Sequence, residues 1–206
     1  ISENWTVREL KRQKQSGLFH RLALSQNKEK ILELAKKGQD VKSVIDLTRD
    51  PYVFEFLGIP EKSGYSESDI EKAIIDNLQN FLLEIGKGFA FIGRQQRITL
   101  NNRHYYIDLV FYHAKLKCYV LIDLKIGEVE YENIGQMKLY LGYYEKEIND
   151  ERDNQPIGII LTEEKDDIMV EYAMLNDNAN LIVSKYQLFL PDINELKERV
   201  KEIIEK

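Results

Sequence analysis

Few residues of this chain could form disulfides or bind zinc. It has one cysteine, Cys118, and three histidines among 206 residues. A lone cysteine excludes an internal disulfide framework, and Cys118 lies in an apolar stretch where we expect a buried thiol. The histidines, His20, His104 and His113, are not spaced as a ligand pair, so we expect them at the polar surface or at strand ends.

Long apolar runs are also missing. No stretch of about 18 apolar residues occurs, so no membrane span is predicted. The opening ISENWTVREL lacks the basic-then-apolar pattern of a secretion signal, and we expect a cytoplasmic protein. We find no internal repeat and no low-complexity tract. A hydrophobic content of 43% can still fill the core of one domain with an extension.

Charge is unevenly distributed along the chain. The net charge is −6, yet residues 1–49 carry eleven Lys and Arg against six acids. Residues 87–117 carry six bases against Asp108 alone, whereas residues 145–206 carry sixteen acids against eight bases. Affinity for a phosphate backbone depends on the local field rather than on the total charge. Nucleic acid therefore remains a possible partner, although solvated surface charge explains most single lysines.

The order of predicted elements indicates an α/β fold. Amphipathic patterns predict helices over about 5–24 and 27–38. A turn-rich junction around the prolines at 51 and 60 comes next. It is followed by a helix that is capped by Ser66 or Ser68 and ends at Gly86. Three strands follow, and then helix, strand, helix, strand and helix. This order predicts a mixed central sheet with helices on both faces. We divide the chain into a basic helical N-terminal extension (1–60) and an α/β domain (61–206).

Three charged residues interrupt the apolar strands. Asp108 lies within YYIDLVFY, and Asp123 and Lys125 lie within YVLIDLKI. Burying an isolated carboxylate in such a strand would cost several kcal/mol. A divalent cation shared between the carboxylates is the simplest partner, which points to metal-assisted chemistry.

The spacing of these three residues predicts that their side chains lie close together. Asp123 and Lys125 share one face of a strand, about 7 Å apart. The short turn AKLK at residues 114–117 predicts an antiparallel hairpin that sets Asp108 roughly opposite Asp123. Carboxylate ligands suit Mg²⁺ or Mn²⁺, whereas zinc would call for His or Cys. Alternatively, Asp108 could be structural, facing solvent or capped by an arginine.

These residues resemble a known family. A helix bearing an acid, a three-stranded meander with Asp on its second strand, and (D/E)-x-Lys on its third strand look like the PD-(D/E)xK restriction-endonuclease-like core. More narrowly, the stretch from GKGFAFIGRQQRITL through YYIDLVFY and VLIDLKIG to ENIGQMKLYL is similar to the YhcG-type bacterial nucleases. WTVRELKRQ and DPYVFEFLG resemble the region upstream of that core.

The resemblance implies roles for single residues. Asp108 and Asp123 match the two metal-binding acids, and Lys125 matches the motif lysine. Asp123 stands where we would expect Glu, and Ile107 stands where the general motif has Pro. Glu71 matches an additional metal-binding acid, although a lone helical Glu is commonly a solvated charge.

The resemblance also extends to the helix after the lysine strand. Gln136 and Tyr140 lie four residues apart and resemble a Gln-x-x-x-Tyr pattern in which the Gln approaches the site. An exposed Gln136 and a core Tyr140 are the structural alternatives. Defence, restriction or mobile-element systems are suggested as biological contexts, with partner proteins of such systems.

Together these features predict a Mg²⁺-dependent endonuclease acting on DNA, with Mn²⁺ as a substitute ion. Basic side chains would hold the nucleic acid, namely Arg94, Arg97, Arg103, Lys115, Lys117, Arg8, Lys11 and Arg12. A second hypothesis is a catalytically silent nucleic-acid-binding or assembly subunit, which the Asp at 123 and the negative net charge leave open. A third is that residues 1–49 mainly form the surface of a helical homodimer.

Overall fold

The computed structural model describes residues 43–47, 51–60, 64–174 and 180–189. Its α-helices are α1 (Glu67–Asp76), α2 (Leu78–Ile85), α3 (Tyr131–Tyr143) and α4 (Asp167–Ala173). Its strands are β1 (Tyr52–Val53), β2 (Phe89–Leu100), β3 (Arg103–His113), β4 (Cys118–Glu128), β5 (Ile157–Glu164) and β6 (Leu181–Gln187). The helices predicted over 5–24, over 27–38 and after Pro191 lie outside the described residues, as do Arg8, Lys11 and Arg12.

The strands form one mixed six-stranded sheet in the order β1-β6-β5-β4-β3-β2. β2, β3 and β4 are antiparallel neighbours, whereas β4, β5, β6 and β1 run parallel. Asn101 and Asn102 both have positive φ in the two-residue β2–β3 turn, a conformation that asparagine tolerates better than most residues. The predicted mixed sheet and both predicted hairpins are confirmed.

Helices cover both faces of the sheet, as predicted. One core lies under α1 and α2 and includes Ile70, Ile74, Phe81 and Leu124. The other lies under α3 and α4. There, Gly158 of β5 lets the helix approach closely, because a Cβ at this position would lie 2.7 Å from Met137 Cγ. None of the helices in the described ranges is long and apolar enough to cross a membrane.

Two elements differ from the prediction. The single helix expected up to Gly86 is divided into α1 and α2 at Asn77, whose side-chain amide donates to the Ala73 carbonyl at 3.0 Å. Asparagine offers the backbone this alternative to the helical ladder. The turn-rich segment after residue 50 contributes a short strand, because β1 pairs with β6 at Tyr52↔Tyr186. The boundary proposed at residue 60 stays a prediction.

β2 and β3 continue beyond their partner β4. The β3–β4 pairing ends at Leu109↔Ile122, whereas β2 and β3 stay paired to Leu100↔Arg103. The side chains of β3 change faces near Asp108: Ile107 packs in the core under α3, whereas Leu109, two residues later, packs in the core under α1. We call residues 96–107, the part beyond this bend, the β2–β3 arm.

Candidate metal and catalytic site

A buried carboxylate and a lysine lie side by side on β4. Asp123 is 2% exposed, and its Oδ2 lies 3.1 Å from Lys125 Nζ. Leu124, between them, packs in the core on the opposite face, as alternation along a strand requires. The Asp-x-Lys sequence therefore places an acid and an amine on one face at the end of the antiparallel ladder.

The protonation of this pair is set by burial and by neighbouring charges. Burial raises the pKa of Asp123 to about 7, and the nearby Asp108 carboxylate adds to the effect while Lys125 opposes it. Burial favours a lower pKa for Lys125, but the negative charges of Asp123, Glu67 and Asp108 outweigh it and raise that pKa. Lys125 therefore stays cationic near neutral pH, whereas Asp123 gains or loses a proton there.

Asp108 lies where β3 separates from β4. Its Oδ2 accepts a hydrogen bond from the Leu124 backbone N–H at 2.7 Å, so the carboxylate satisfies an amide beyond the last paired residues. The antiparallel register, extended by one residue from Leu109↔Ile122, sets Asp108 opposite Asp123. The hairpin geometry expected from the AKLK turn thus brings both acids to one place.

Glu71 reaches the same region from α1. Its side chain is buried, and Oε1 lies 3.8 Å from Arg94 Nη1. Burial raises the pKa of Glu71, and Asp108 contributes in the same direction, whereas Gln95 and Arg94 oppose it. A buried helical acid that senses the charge of Asp108 does not behave as a solvated surface residue.

Gln95 links Glu71 and Asp108, a role that was not predicted from the sequence. Its Nε2 donates to Asp108 Oδ1 at 2.9 Å and also contacts Glu71 Oε2. Gln95 has a φ of 46° within β2, which is uncommon for a residue with a side chain. The left-handed backbone and the bend cannot be read from the local sequence, so no signal marked this glutamine.

Glu67 was also missed. Its Oε2 lies 3.4 Å from Lys125 Nζ, and its Oε1 accepts from the Ile126 N–H at 3.3 Å. Glu67 and Glu71 are four residues apart on α1 and therefore share a helix face. That spacing was visible in the sequence, and it could have indicated that one face of α1 is directed at the lysine strand.

Gln136 and Tyr140 connect α3 to the β2–β3 arm. The Gln136 amide contacts the Tyr140 hydroxyl, which donates to the Tyr106 carbonyl at 3.0 Å. Tyr140 is fully buried, and burial raises its pKa to about 12, with Asp123 adding to the shift. Tyr140 is thus both a core residue and a support for β3 close to Asp108, and Gln136 lies beside it, partly exposed.

The basic residues fall into two groups. Arg94 lies at the site, and Arg97 and Arg103 are exposed on the β2–β3 arm. Lys115 and Lys117 lie in the turn after β3, about 20 Å along the strand from Asp108 at some 3.4 Å per residue. Residues 94–117 therefore place positive charge near both ends of β3.

The donor set fits a hard divalent cation. Asp123 Oδ2 is buried and accepts no hydrogen bond of acceptable geometry, although Lys125 is within ion-pair distance. An orphaned carboxylate oxygen beside a second carboxylate is the kind of ligand that Mg²⁺ or Mn²⁺ accepts. In the part of the chain that the structure describes, no three His, Cys, Asp or Glu side chains already converge closely enough to hold a metal. Glu71 and Asp108 instead share Gln95.

The sequence is similar to a known family of nuclease domains. Residues 45–201 match the YhcG PDDEXK nuclease domain. The chain is 36% identical over 196 residues to the protein YhcG of Escherichia coli (strain K12), covering 95% of this chain and 52% of that protein. The chain thus spans about half the length of this relative.

Two solved structures are partly similar to this chain. A repair endonuclease from Pyrococcus abyssi is 22% identical, with a TM-score of 0.42 over 64% of this chain and 50% of that one. A structure of EndoMS with double-stranded DNA is 16% identical, with a TM-score of 0.41 over 65% of this chain and 50% of that one. The family match over residues 45–201 covers most of the sequence, including every strand in the described residues and the Asp108, Asp123 and Lys125 positions. The chain belongs to the YhcG family of PD-(D/E)xK nuclease domains.

Proposed function

We propose that this protein is a metal-dependent endonuclease that hydrolyses phosphodiester bonds in DNA, with Mg²⁺ as the natural ion and Mn²⁺ as a substitute. The observation that carries the proposal is the pair of buried Asp123 and half-buried Lys125, with Asp108 brought beside it from the neighbouring strand. Burying Asp123 beside a half-buried amine and a second carboxylate is costly for stability alone. A function that needs these charges in a poorly solvated place explains the arrangement.

The ion would be held by Asp108, Asp123 and the Leu124 carbonyl, with Glu71 as a further ligand. A bound divalent cation lowers the pKa of an attacking water and offsets charge on the phosphate. Both acids must be ionised to bind it, and the raised pKa of Asp123 makes binding weaker below about pH 7.

Lys125 is the group that would orient the attacking water or hold a phosphate oxygen. Its ammonium is held by Asp123 and Glu67, so its position is restricted before substrate arrives, which favours electrostatic stabilisation of the developing charge. Gln136 is assigned to contact the substrate or water from α3. Tyr140 supports it through their direct contact.

Substrate binding is assigned to the exposed arginines near the site, Arg94, Arg97 and Arg103. Lys115 and Lys117, at the far end of the hairpin, and Arg8, Lys11 and Arg12 of the N-terminal region would extend the contact along the backbone. Each phosphate contact adds affinity that falls as salt rises. A cytoplasmic location, a homodimer and partner proteins of a defence or mobile-element system stay predictions.

The test is cleavage of supercoiled and linear DNA by the purified chain with Mg²⁺ or Mn²⁺ over a range of salt. Asp108→Ala and Lys125→Ala should each lower the rate by at least about a hundredfold. Lys146→Ala is the matched control, since this lysine is 83% exposed in the short π-helix Tyr144–Ile148 that follows α3. DNA left intact by the wild type under all conditions, or equal cutting by the variants, would contradict the proposal.

A second readout separates this function from a silent subunit. Calorimetric titration with Mn²⁺ should show binding that Asp123→Ala removes. A protein that binds DNA but neither binds Mn²⁺ nor cuts would instead be a nucleic-acid-binding or assembly subunit. The shorter side chain of Asp at position 123, where Glu is the expected residue, is the feature that keeps this alternative in view.

A further inference from the structure

The β2–β3 arm has one face against the protein and one face towards solvent. Ile98 and Ile107 are 3% and 0% exposed and pack in the core under α3. Tyr105 packs edge-on against Tyr140, with ring centroids 6.5 Å apart. These contacts, together with the hydrogen bond from Tyr140 to the Tyr106 carbonyl, hold the arm in a defined position.

The opposite face carries an aromatic ring and positive charge. Tyr106 is 48% exposed and is paired across the strands with Arg97, and the next pair on this face is Thr99 with His104. Thr99 Oγ1 and His104 Nδ1 are 2.9 Å apart. We call Arg97, Thr99, His104 and Tyr106 the outer face of the arm.

The outer face begins beside the catalytic acids. Tyr106 lies two residues before Asp108, about 7 Å along the strand. Residues 94–107 contain Arg94, Arg97 and Arg103 and no acid, so this segment itself adds attraction for a polyanion and no negative charge. An exposed tyrosine paired with an arginine offers a base a ring to stack on and its phosphate a cation.

Resting on the proposed nuclease function, we propose that the outer face binds the nucleic-acid strand next to the scissile phosphate, with Tyr106 stacking on an unpaired base and Arg97 contacting a phosphate. A base inside a duplex is already stacked on both sides, so the ring is useful only where the strand is single or frayed. The protein therefore prefers substrates that have unpaired nucleotides beside the cut.

The experiment measures binding by the full chain in EDTA, where no divalent ion supports cutting. Fluorescence anisotropy with a labelled single-stranded DNA and with the same sequence as a blunt duplex gives both affinities. Tyr106→Leu should weaken single-strand binding about tenfold and duplex binding by less than about twofold, because a paired base has no use for the ring. Tyr106→Phe, which keeps the ring, should bind like the wild type.

Two further variants test the charge and the location. Arg97→Gln should weaken binding of both DNAs and reduce the slope of log affinity against log salt by about 1. Tyr172→Leu is the control for the loss of an exposed tyrosine, since Tyr172 is 73% exposed on α4, and it should change neither affinity.

The proposal is overturned if Tyr106→Leu binds single-stranded DNA as well as the wild type, if it loses affinity equally for both DNAs, or if the wild type binds neither DNA. Cleavage by the wild type is scored separately. A chain that cuts DNA while Tyr106→Leu binds normally would refute the outer face and leave the nuclease function standing. A chain that shows the expected binding differences but never cuts would refute the nuclease function and leave the outer face as a nucleic-acid-binding surface.

Discussion

Asp123 shows how one buried side chain can carry information about function. Its carboxylate is almost completely buried, its Oδ2 accepts no hydrogen bond of good geometry, and its pKa is raised to about 7. A buried charge left in this condition lowers stability by several kcal/mol relative to a satisfied one. Lys125 compensates only in part. The remaining cost is understandable if the carboxylate is kept for a cation.

Gln95 offers a sharper test of the site than its acids do. Replacing Gln95 with Gly should maintain or raise the free energy of unfolding, since glycine adopts a φ of 46° without strain. The same change removes the amide that links Glu71 and Asp108, and we expect affinity for Mn²⁺ to fall by about fivefold or more. Urea unfolding and calorimetric titration measure the two quantities.

Gln95→Leu is the matched variant, because it removes the amide and keeps the backbone strain. It should lose Mn²⁺ affinity as the glycine variant does and also unfold more easily. Wild-type affinity for Mn²⁺ in both variants would show that Gln95 serves only the bend of β2, and that Glu71 and Asp108 need no help to bind an ion.

At the scale of elements, one side chain connects β3 to its neighbouring segments at the end away from the site. His113 ends β3 and is fully buried. Its Nδ1 accepts from the Leu116 N–H at 3.1 Å, so its Nε2 carries the proton that is donated to the Lys87 carbonyl at 3.0 Å. The neutral ring therefore connects β3 to the turn after it and to the segment before β2.

Acidification should weaken this connection. Burial lowers the pKa of His113 below 6.5, and Lys115 adds to this shift, while the Lys87 carbonyl opposes it. The unfolded chain then takes up a proton more readily, so stability present above about pH 6.5 is lost as the pH falls. Between pH 7.5 and 5.5 the wild type should lose up to about 1.4 kcal/mol per pH unit more than His113→Phe.

Urea unfolding of both proteins across this range measures the difference. His113→Phe keeps the aromatic contact with Phe89 and removes the titrating ring. Asp123 titrates in both proteins, with the opposite sign, so it cancels in the comparison. Parallel pH profiles would show that His113 is not the group responsible.

The packing of α3 on β5 depends on Gly158. Gly158→Ala should lower the free energy of unfolding by about 1–3 kcal/mol, because the new Cβ would lie 2.7 Å from Met137 Cγ and 2.9 Å from Met137 Sδ. Gly142→Ala on α3 is the control, since nothing lies within 4 Å of its Cβ position, and it should stabilise by about 0.5–1 kcal/mol. Chemical denaturation compares the two. A Gly158→Ala protein as stable as the wild type would mean that Met137 moves aside freely.

Metal binding should be visible in the stability of the entire molecule. An ion that binds only the folded chain stabilises it by about 2.7 kcal/mol at a hundredfold excess over Kd. For a chain of this size the Tm should then rise by about 5–10 °C. Thermal melts with and without Mn²⁺ measure the shift, which Asp108→Ala and Asp123→Ala should abolish. An equal shift in these variants would place the ion elsewhere.

Much of the architecture was predictable because its signals are local. The apolar runs of β3 and β4, the AKLK turn and the spacing of Asp123 and Lys125 depend on neighbours in sequence, and the strands and hairpin that they predict are confirmed. The division of one helix at Asn77 and the short strand β1 were not predicted. In the first, a side chain competes with the helical ladder, and in the second, the partner strand lies over 130 residues away in sequence.

The candidate site divides in the same way. Strand periodicity and a hairpin turn were enough to bring Asp108, Asp123 and Lys125 together. The roles of Gln95 and Glu67, the connection from Gln136 through Tyr140 to β3, and the two faces of the arm depend on how α1, α3 and the bent hairpin meet in space. The face of a strand on which a side chain lies is determined by backbone geometry and can be read from the sequence. Its contacts with residues distant in sequence are determined by how the whole chain packs.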